Sequence, residues 1–213
     1  MSPFCMKEFV SPIRVHAAVL AGGRSSRMKT DKRFLKIQGE LLVDRAVRLA
    51  KESLKPFGGE VLLCGDVPER KSLPDAASGL GPLSGLLSAL NKLTNSEGLM
   101  PTWLLILPVD MPLLNSELLG ELTSKIQQTD GLDSDAIAFD DFEMPFVIRV
   151  NPFVKNTVEE LCQRKEPLSR SVRALLKQLK VKTIPLASKF QGAMMNANLP
   201  SDWIRISEEV PKG

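Results

Sequence analysis

The chain has 213 residues, of which 43% are hydrophobic and 25% charged, and its formal net charge is +3. This length suffices for one well-buried domain and is short for two, and the composition is typical of a globular protein. The small net charge and the 5% aromatic content, with no tyrosine, argue against a nucleic-acid-binding surface. No apolar run reaches the ~18 residues of a membrane helix, so the sequence predicts no membrane association.

The cysteine pattern indicates a reducing compartment. The three cysteines are far apart, and the single histidine, His16, cannot complete a zinc site with them. The first residues, "MSPFCMKEFVSPIRVH", carry Lys7 and Glu8 among apolar residues, which is not typical of a signal peptide. We therefore predict a cytoplasmic protein with a flexible N-terminal arm over 1–14 and a single domain over 15–213.

Short apolar runs alternate with helical patterns along the chain. Runs typical of buried strands are "HAAVLAG" (16–22), "EVLLCG" (60–65), "TWLLILPVD" (102–110), "DAIAF" (135–139), "PFVIRV" (145–150) and "VKTIPL" (181–186). Helices are predicted over 41–54, 82–93, 116–128, 151–165, 169–180 and 199–206, with Asn115 or Ser116, and later Ser201, as caps. This alternation predicts an α/β sandwich of three layers, in which helices cover both faces of a mostly parallel sheet.

The stretch "VLAGGRSSRMKTDKRFL" follows the first predicted strand, where ligands bind in open parallel sheets. Gly22 and Gly23 let the backbone turn and approach a ligand, and Arg24, Arg27 and Lys32 could hold phosphates. Neither G-x-x-x-x-G-K-[ST] nor G-x-G-x-x-G is present. Taken alone, such a segment is more often a solvated turn, and that alternative remains open.

An aspartate ends the most apolar strand, in "LPVDMPLL". Asp110 would be a suitable ligand for Mg²⁺, which prefers a few carboxylate oxygens together with water and phosphates. The alternative role is a cap for the next helix. Asp110 lies several residues before that helix is expected to begin, which weakens this alternative.

Three further features each allow two interpretations. "GPLSGL" (81–86) suits close contact with a base or phosphate, or starts a helix at Pro82 with Gly85 as a packing contact. Asp75 could accept hydrogen bonds from a base or ribose, or belong to a turn. Asn196 and Asn198 flank Ala197, so an extended backbone would aim both amides the same way; turn formation is the alternative.

Four motifs in this order resemble those of the molybdenum cofactor guanylyltransferase family, and the resemblance extends over roughly residues 15–205. They are "LAGGRSSRMKTDK" (20–32), "GPLSG" (81–85), "PVDMP" (108–112) and "NANLP" (196–200). No single motif is decisive, but four in order are specific. The resemblance implies a Rossmann-like sheet that binds GTP and Mg²⁺ at its carboxyl edge. The terminal phosphate of molybdopterin would attack the α-phosphate of GTP, and pyrophosphate would leave.

The resemblance also implies roles for individual residues. The catalytic residues would be Arg27 and Lys32, which hold phosphates, and Asp110, which holds the metal. Asn196 and Asn198 would lie on the molybdopterin side. GTP would contact the catalytic residues Lys32 and Asp110 together with Leu20, Ala21, Gly22, Gly23, Asp75, Gly81 and Pro82.

The resemblance also bears on the base and on the acceptor. Cytidylyl relatives look like LAAG rather than LAGG, so Gly23 favours the larger purine of GTP over CTP. Lys29 stands where the family usually has glycine, so it would either strain the loop or add a phosphate contact. Met144-Pro145 stands where the family commonly has His-Pro or Gln-Pro, which alters the acceptor side.

Two alternatives to the guanylyltransferase remain at this stage. One is a related nucleotidyltransferase that uses CTP or a sugar phosphate acceptor. The other is a catalytically weak protein that binds GTP or the cofactor as a partner of molybdoenzymes or their chaperones.

Overall fold

The computed structural model describes residues 13–22, 31–76, 80–95, 101–128 and 133–209, with side chains as far as 206. The strands are β1 (Arg14–Leu20), β2 (Lys36–Ile37), β3 (Glu40–Leu41), β4 (Val61–Cys64), β5 (Thr102–Pro108), β6 (Ala136–Phe139), β7 (Phe146–Arg149) and β8 (Val181–Ile184). The α-helices are α1 (Leu42–Leu54), α2 (Pro82–Thr94), α3 (Ser116–Gln127), α4 (Pro152–Gln163), α5 (Val172–Leu176) and α6 (Pro200–Glu209).

Six of the strands form one sheet in the order β4-β1-β5-β7-β6-β8. β1 runs parallel to β4 and β5, and β6 runs parallel to β8. β7 is antiparallel to both of its neighbours, β5 and β6. The carboxyl ends of the five other strands therefore lie at one edge of the sheet, which confirms the mostly parallel α/β fold.

Helices cover both faces of the sheet, as the alternating side chains of β5 show. Leu105 and Leu107 belong to the core that includes α1 and α3, whereas Leu104 and Ile106 belong to the core that includes α2, α4 and α5. Every residue of β5 is buried because both of its faces are covered. Each fully buried leucine side chain contributes roughly 1.5–3 kcal/mol to the burial free energy.

Most predicted elements are present, and the exceptions have local causes. The β2–β3 hairpin was not predicted because each of its strands has only two residues; its turn uses Gln38 and Gly39 at φ 50° and 81°. Asn115 is confirmed as the cap of α3, since its side chain accepts a hydrogen bond from Leu118 N. Ser201 was wrong as a cap, because α6 already begins at Pro200.

Residues 1–12, most of the predicted arm, lie outside the described part, and β1 begins at Arg14. Cys64 and Cys162 are buried free thiols. At the amino end of β5, the buried Trp103 packs against the guanidinium of Arg149, 5.0 Å from the ring centroid. Within the described residues, none of the helices has both the length and the hydropathy needed to cross a membrane.

Candidate functional site

A cavity of about 220 Å³ lies beyond the carboxyl ends of β1 and β5. It contains every predicted nucleotide-binding residue that the structure describes: Leu20, Ala21, Gly22, Lys32, Asp75, Gly81, Pro82 and Asp110. Arg33, Gly85, Pro108, Val109 and Met144 complete its lining. Four segments that are distant in the sequence therefore meet at one edge of the sheet, as expected for ligand sites in this class of fold.

The polar end of the cavity is built around Asp110. Lys32 Nζ donates to Asp110 Oδ2 at 2.5 Å and to Asn198 Oδ1 at 3.3 Å. The side chains of Lys32 and Asp110 are 21% and 19% exposed, so both face the cavity and remain partly solvated. Asp110 does not cap α3, because Asn115 does. The functional interpretation of Asp110 is therefore the one that its geometry supports.

The asparagine segment is attached directly to the end of β5. Ala197 N donates to Asp110 O at 2.7 Å, and Ala197 is buried while Asn196 and Asn198 on either side are exposed. Alternation thus points both amides away from the core, as predicted. Asn198 reaches Lys32, and the structure records no such contact for Asn196 within its described part.

Asp75 lines another part of the cavity. Its Oδ1 is buried and has no hydrogen-bond partner in the described structure. A Cβ atom at Gly22 would lie 2.9 Å from Asp75 Oδ2, so glycine is what allows the carboxylate to sit against the end of β1. Burial raises the pKa of Asp75, while the nearby charge of Arg33 opposes that rise and the carboxylate of Asp66 adds to it.

The segments that follow the parallel strands β1 and β4 pass close to each other beside this carboxylate, at Gly22 and Gly65, and this close approach is called the crossing below. Gly65 has φ 112°, and a Cβ atom there would lie 2.5 Å from Gly22 N. Ala21 N donates to Cys64 O at 2.8 Å, which joins the two strand ends. The crossing therefore requires glycine at position 65, both for its φ and for its space.

Helix α2 approaches the same strand ends through Gly81, Pro82 and Gly85. Gly81 precedes the helix at φ 68°, and Pro82 occupies its first turn. A Cβ atom at Gly85 would lie 3.1 Å from Cys64 Cβ, so Gly85 is a packing contact as well as part of the cavity lining. The packing interpretation of "GPLSG" is confirmed, and its contact with a base or phosphate stays a prediction.

Cys64 is buried next to the cavity-lining residue Gly85, and its thiol is unreactive. Burial and the neighbouring Asp75 carboxylate raise the pKa of its thiol to about 12. A thiol with that pKa stays protonated near neutral pH, so Cys64 is not a nucleophile.

Arg33 lines the cavity but was not predicted from the sequence to belong to the site. Its guanidinium pairs with the Asp31 carboxylate and donates to the backbone carbonyls of Ala21 and Asp66. The available signal was the Asp-x-Arg spacing directly beside Lys32. Gly23, Arg24, Arg27 and Lys29 lie outside the described residues, so their roles stay predictions.

The carboxylates suit one kind of metal. Within the described part of the chain, no group of three or more His, Cys, Asp and Glu side chains could hold an ion by itself. Asp110 alone therefore fits a cation that takes most of its ligands from water and substrate phosphates, as Mg²⁺ does, and not a structural zinc.

A lysine, a strand-end carboxylate and a glycine turn around one cavity of an α/β sheet are typical of nucleotide-binding proteins. Residues 17–184 match the model of the MobA-like NTP transferase domain. The chain belongs to this family and is a nucleotidyltransferase.

Relatives are found by sequence and by structure. The chain is 33% identical over 193 residues to the molybdenum cofactor guanylyltransferase of Xanthomonas euvesicatoria pv. vesicatoria, covering 91% of this chain and 94% of that protein. Its fold matches molybdopterin-guanine dinucleotide biosynthesis protein A from Archaeoglobus fulgidus, with a TM-score of 0.67, 20% identity, and coverage of 91% and 97%. It also matches Rv0371c of Mycobacterium tuberculosis, solved as a complex with manganese, with a TM-score of 0.60, 15% identity, and coverage of 92% and 100%.

Proposed function

We propose that this enzyme transfers GMP from GTP to the terminal phosphate of molybdopterin, with or without bound molybdenum, in the cytoplasm. An acceptor phosphate oxygen attacks the α-phosphorus of GTP, the bond from that phosphorus to the α,β-bridging oxygen breaks, and pyrophosphate leaves. The product is the guanine dinucleotide form of the cofactor. The 33% identity to a molybdenum cofactor guanylyltransferase over most of the chain supports this reaction.

The buried, unpaired Oδ1 of Asp75 is the main structural support for guanine as the base that the site binds. Guanine presents two adjacent donors, N1–H and the N2 amino group, and a carboxylate can accept both. Adenine and cytosine offer a single donor group beside an acceptor on the same edge. Asp75 lines the cavity, and its buried Oδ1 has no hydrogen-bond partner in the described structure, so guanine would satisfy this carboxylate and remove the cost of leaving Oδ1 unpaired.

The polar end of the cavity would hold the triphosphate. Lys32 would neutralise charge on the phosphates as a point charge, with Arg27 as a second phosphate ligand. Asp110 would hold a divalent cation, which we propose to be Mg²⁺ and which would supply charge neutralisation on the phosphates when bound. The manganese in the structural neighbour Rv0371c is in keeping with this assignment. The chain's own part is to position the reacting groups and stabilise the developing charge.

The acceptor would enter from the side of the asparagines. Asn198 lies beside Lys32, and Met144 lines the cavity on the strand β7 side. We assign the molybdopterin side to Asn196, Asn198 and Met144. The acceptor phosphate would then meet the triphosphate near Lys32 and Asp110.

Asp75→Asn tests the proposed base recognition. An amide accepts from N1–H but donates where guanine N2 also donates, so GTP should bind about tenfold or more weakly. Xanthosine triphosphate, which has a carbonyl in place of the N2 amino group, should bind the variant better than GTP. The measurement is nucleotide affinity by calorimetry, followed by pyrophosphate release in the presence of molybdopterin and Mg²⁺.

The Asp75→Asn variant without bound nucleotide also provides a folding control. A carboxyl with a raised folded-state pKa stabilises the fold only while protonated, and that stability is lost as pH rises through the folded-state pKa. Asp75→Asn should therefore be at least as stable as the natural protein at pH 8. If the variant keeps its preference for GTP over the xanthine nucleotide, or the natural protein transfers CMP instead, the guanine assignment is wrong.

A further inference from the structure

The guanidinium of Arg33 donates hydrogen bonds to three different residues, more than a side chain in a simple surface turn usually does. Its Nε donates to Asp31 Oδ1 at 2.8 Å, and its Nη2 donates to Asp31 Oδ2. Its Nη1 donates to Ala21 O at 3.4 Å and to Asp66 O. The side chain is only 17% exposed, so one guanidinium is held by one carboxylate and two carbonyls.

Two of these partners, Ala21 and Asp31, flank residues 22–30 in the sequence. Ala21 lies directly after β1, where the chain enters the loop, and Asp31 lies where the chain returns to the 3₁₀ turn over Lys32–Phe34. Joining the two ends through one side chain fixes the separation between them.

The same side chain connects the two halves of the cavity. On the phosphate side, it fixes the 3₁₀ turn from which Lys32 reaches Asp110. On the base side, it bonds to Asp66, next to the crossing at Gly65, and its charge faces Asp75. Arg33 therefore lies between the group expected to hold phosphate and the group expected to hold guanine.

We propose that Arg33 is a positioning residue. It holds Lys32 and Asp75 at the separation that allows both side chains to contact the same nucleoside triphosphate. This rests on the proposed function, in which the cavity binds GTP. Only a planar guanidinium can pair with a carboxylate through two nitrogens and donate to two carbonyls from the third. Lysine keeps the charge and loses this fork, so it would not replace Arg33.

The test compares Arg33→Lys and Arg33→Ala with Arg48→Ala. Arg48 is a matched control because its guanidinium also binds several acceptors, the carboxylates of Glu40 and Glu52, but does so on the exposed side of α1. Both Arg33 variants should bind GTP about tenfold or more weakly, with Arg33→Lys close to Arg33→Ala, while Arg48→Ala should bind normally. Asp31→Ala should weaken binding similarly, and adding it to Arg33→Ala should cost little more.

A pH profile separates positioning from a purely structural role. Among the residues that the structure describes, the charged groups that act on Asp75 are Arg33 and Asp66, and the neutral thiol of Cys64 lies nearby. Removing Arg33 leaves burial and Asp66 to raise the pKa of Asp75, so the acid limb of GTP affinity should move to higher pH. Arg48→Ala should not move it.

The outcomes distinguish this proposal from the proposed function. The natural protein is first titrated with GTP, CTP, ATP and UTP in the presence of Mg²⁺. If it binds a triphosphate other than GTP, the proposed function fails, and the Arg33 series with that nucleotide still decides the role of Arg33. If the Arg33 variants are folded and bind the preferred nucleotide as the natural protein does, the positioning role is overturned.

Discussion

At the scale of single residues, Lys32 occupies the place at Asp110 that a metal would need. Its ammonium lies 2.5 Å from Asp110 Oδ2 and also donates a hydrogen bond to Asn198 Oδ1. A cation that binds Asp110 Oδ2 in the free enzyme must therefore displace this ammonium. When the triphosphate is present, its oxygens offer Lys32 an alternative partner.

Asp110→Ala and Lys32→Ala should both abolish transfer, yet they should change metal binding in opposite directions. Asp110→Ala removes the carboxylate and should lose Mn²⁺ binding, whereas Lys32→Ala removes the competing cation and should strengthen it in the absence of nucleotide. Because both side chains are partly exposed, each change should cost only about 1 kcal/mol or less of stability. The measurements are pyrophosphate release, electron paramagnetic resonance of Mn²⁺ and urea unfolding.

Asp44→Ala supplies the control for these two variants. Asp44 pairs with Arg70 at 3.1 Å on the surface, so its loss should leave both transfer and Mn²⁺ binding unchanged. Weaker Mn²⁺ binding by Lys32→Ala would show that Lys32 does not compete for Asp110.

At the scale of secondary-structure elements, the crossing of β1 and β4 determines the shape of the base side. Gly22 and Gly65 meet there, and Asp75 lies against Gly22. The contact involves backbone atoms, so it cannot relax by turning a side chain. Strain introduced at this point must move a strand end that lines the cavity.

Gly65→Ala should therefore be costly in both stability and binding. The positive φ and the 2.5 Å approach to Gly22 N together should cost roughly 2–5 kcal/mol. Gly39→Ala is the matched control: its φ is also positive, at 81°, but nothing lies within 4 Å of the added carbon. It should cost only about 1–2 kcal/mol and leave GTP affinity unchanged. Equal losses in urea unfolding would contradict the role of the crossing.

The elements also show how far sequence reasoning reaches. The all-apolar run of β5 identifies a strand buried on both faces, and the strand-end position of Asp110 follows from it. Strand direction is not contained in such a run, so the antiparallel β7 between β5 and β6 could not be read from "PFVIRV". Motif spacing predicted that the cavity residues lie together. The Asp-x-Arg spacing of Asp31 and Arg33 is visible in the sequence, but no spacing reveals the two backbone carbonyls that Arg33 also binds.

At the scale of the whole molecule, most core residues lie away from the cavity, although Leu20, Ala21 and Val109 belong both to a core and to the cavity lining. The two cores flank the sheet, while the cavity occupies one edge of it. A core change should thus reduce stability without altering the nucleotide affinity of the folded protein.

Leu105→Ala tests this separation. Leu105 is fully buried in β5, and its truncation should cost roughly 2–5 kcal/mol in urea unfolding. GTP affinity, measured well below the unfolding midpoint, should stay within about twofold of normal, since a residue without ligand contact contributes little to binding. Leu168→Ala, at a residue 88% exposed, should change neither quantity. Loss of affinity in folded Leu105→Ala would mean that the core and the cavity are coupled.

The positions of the two tryptophans give the molecule an intrinsic optical reporter. With no tyrosine in the chain, its near-ultraviolet emission comes from Trp103 and Trp203 alone. Trp103 is buried against Arg149 at the amino end of β5, away from the cavity. Trp203 is partly buried on α6, the helix that follows Asn198 and is tied to it through Asp202. One fluorophore thus monitors the core and the other adjoins the proposed acceptor side, so selective quenching can separate global unfolding from acceptor binding without an added label.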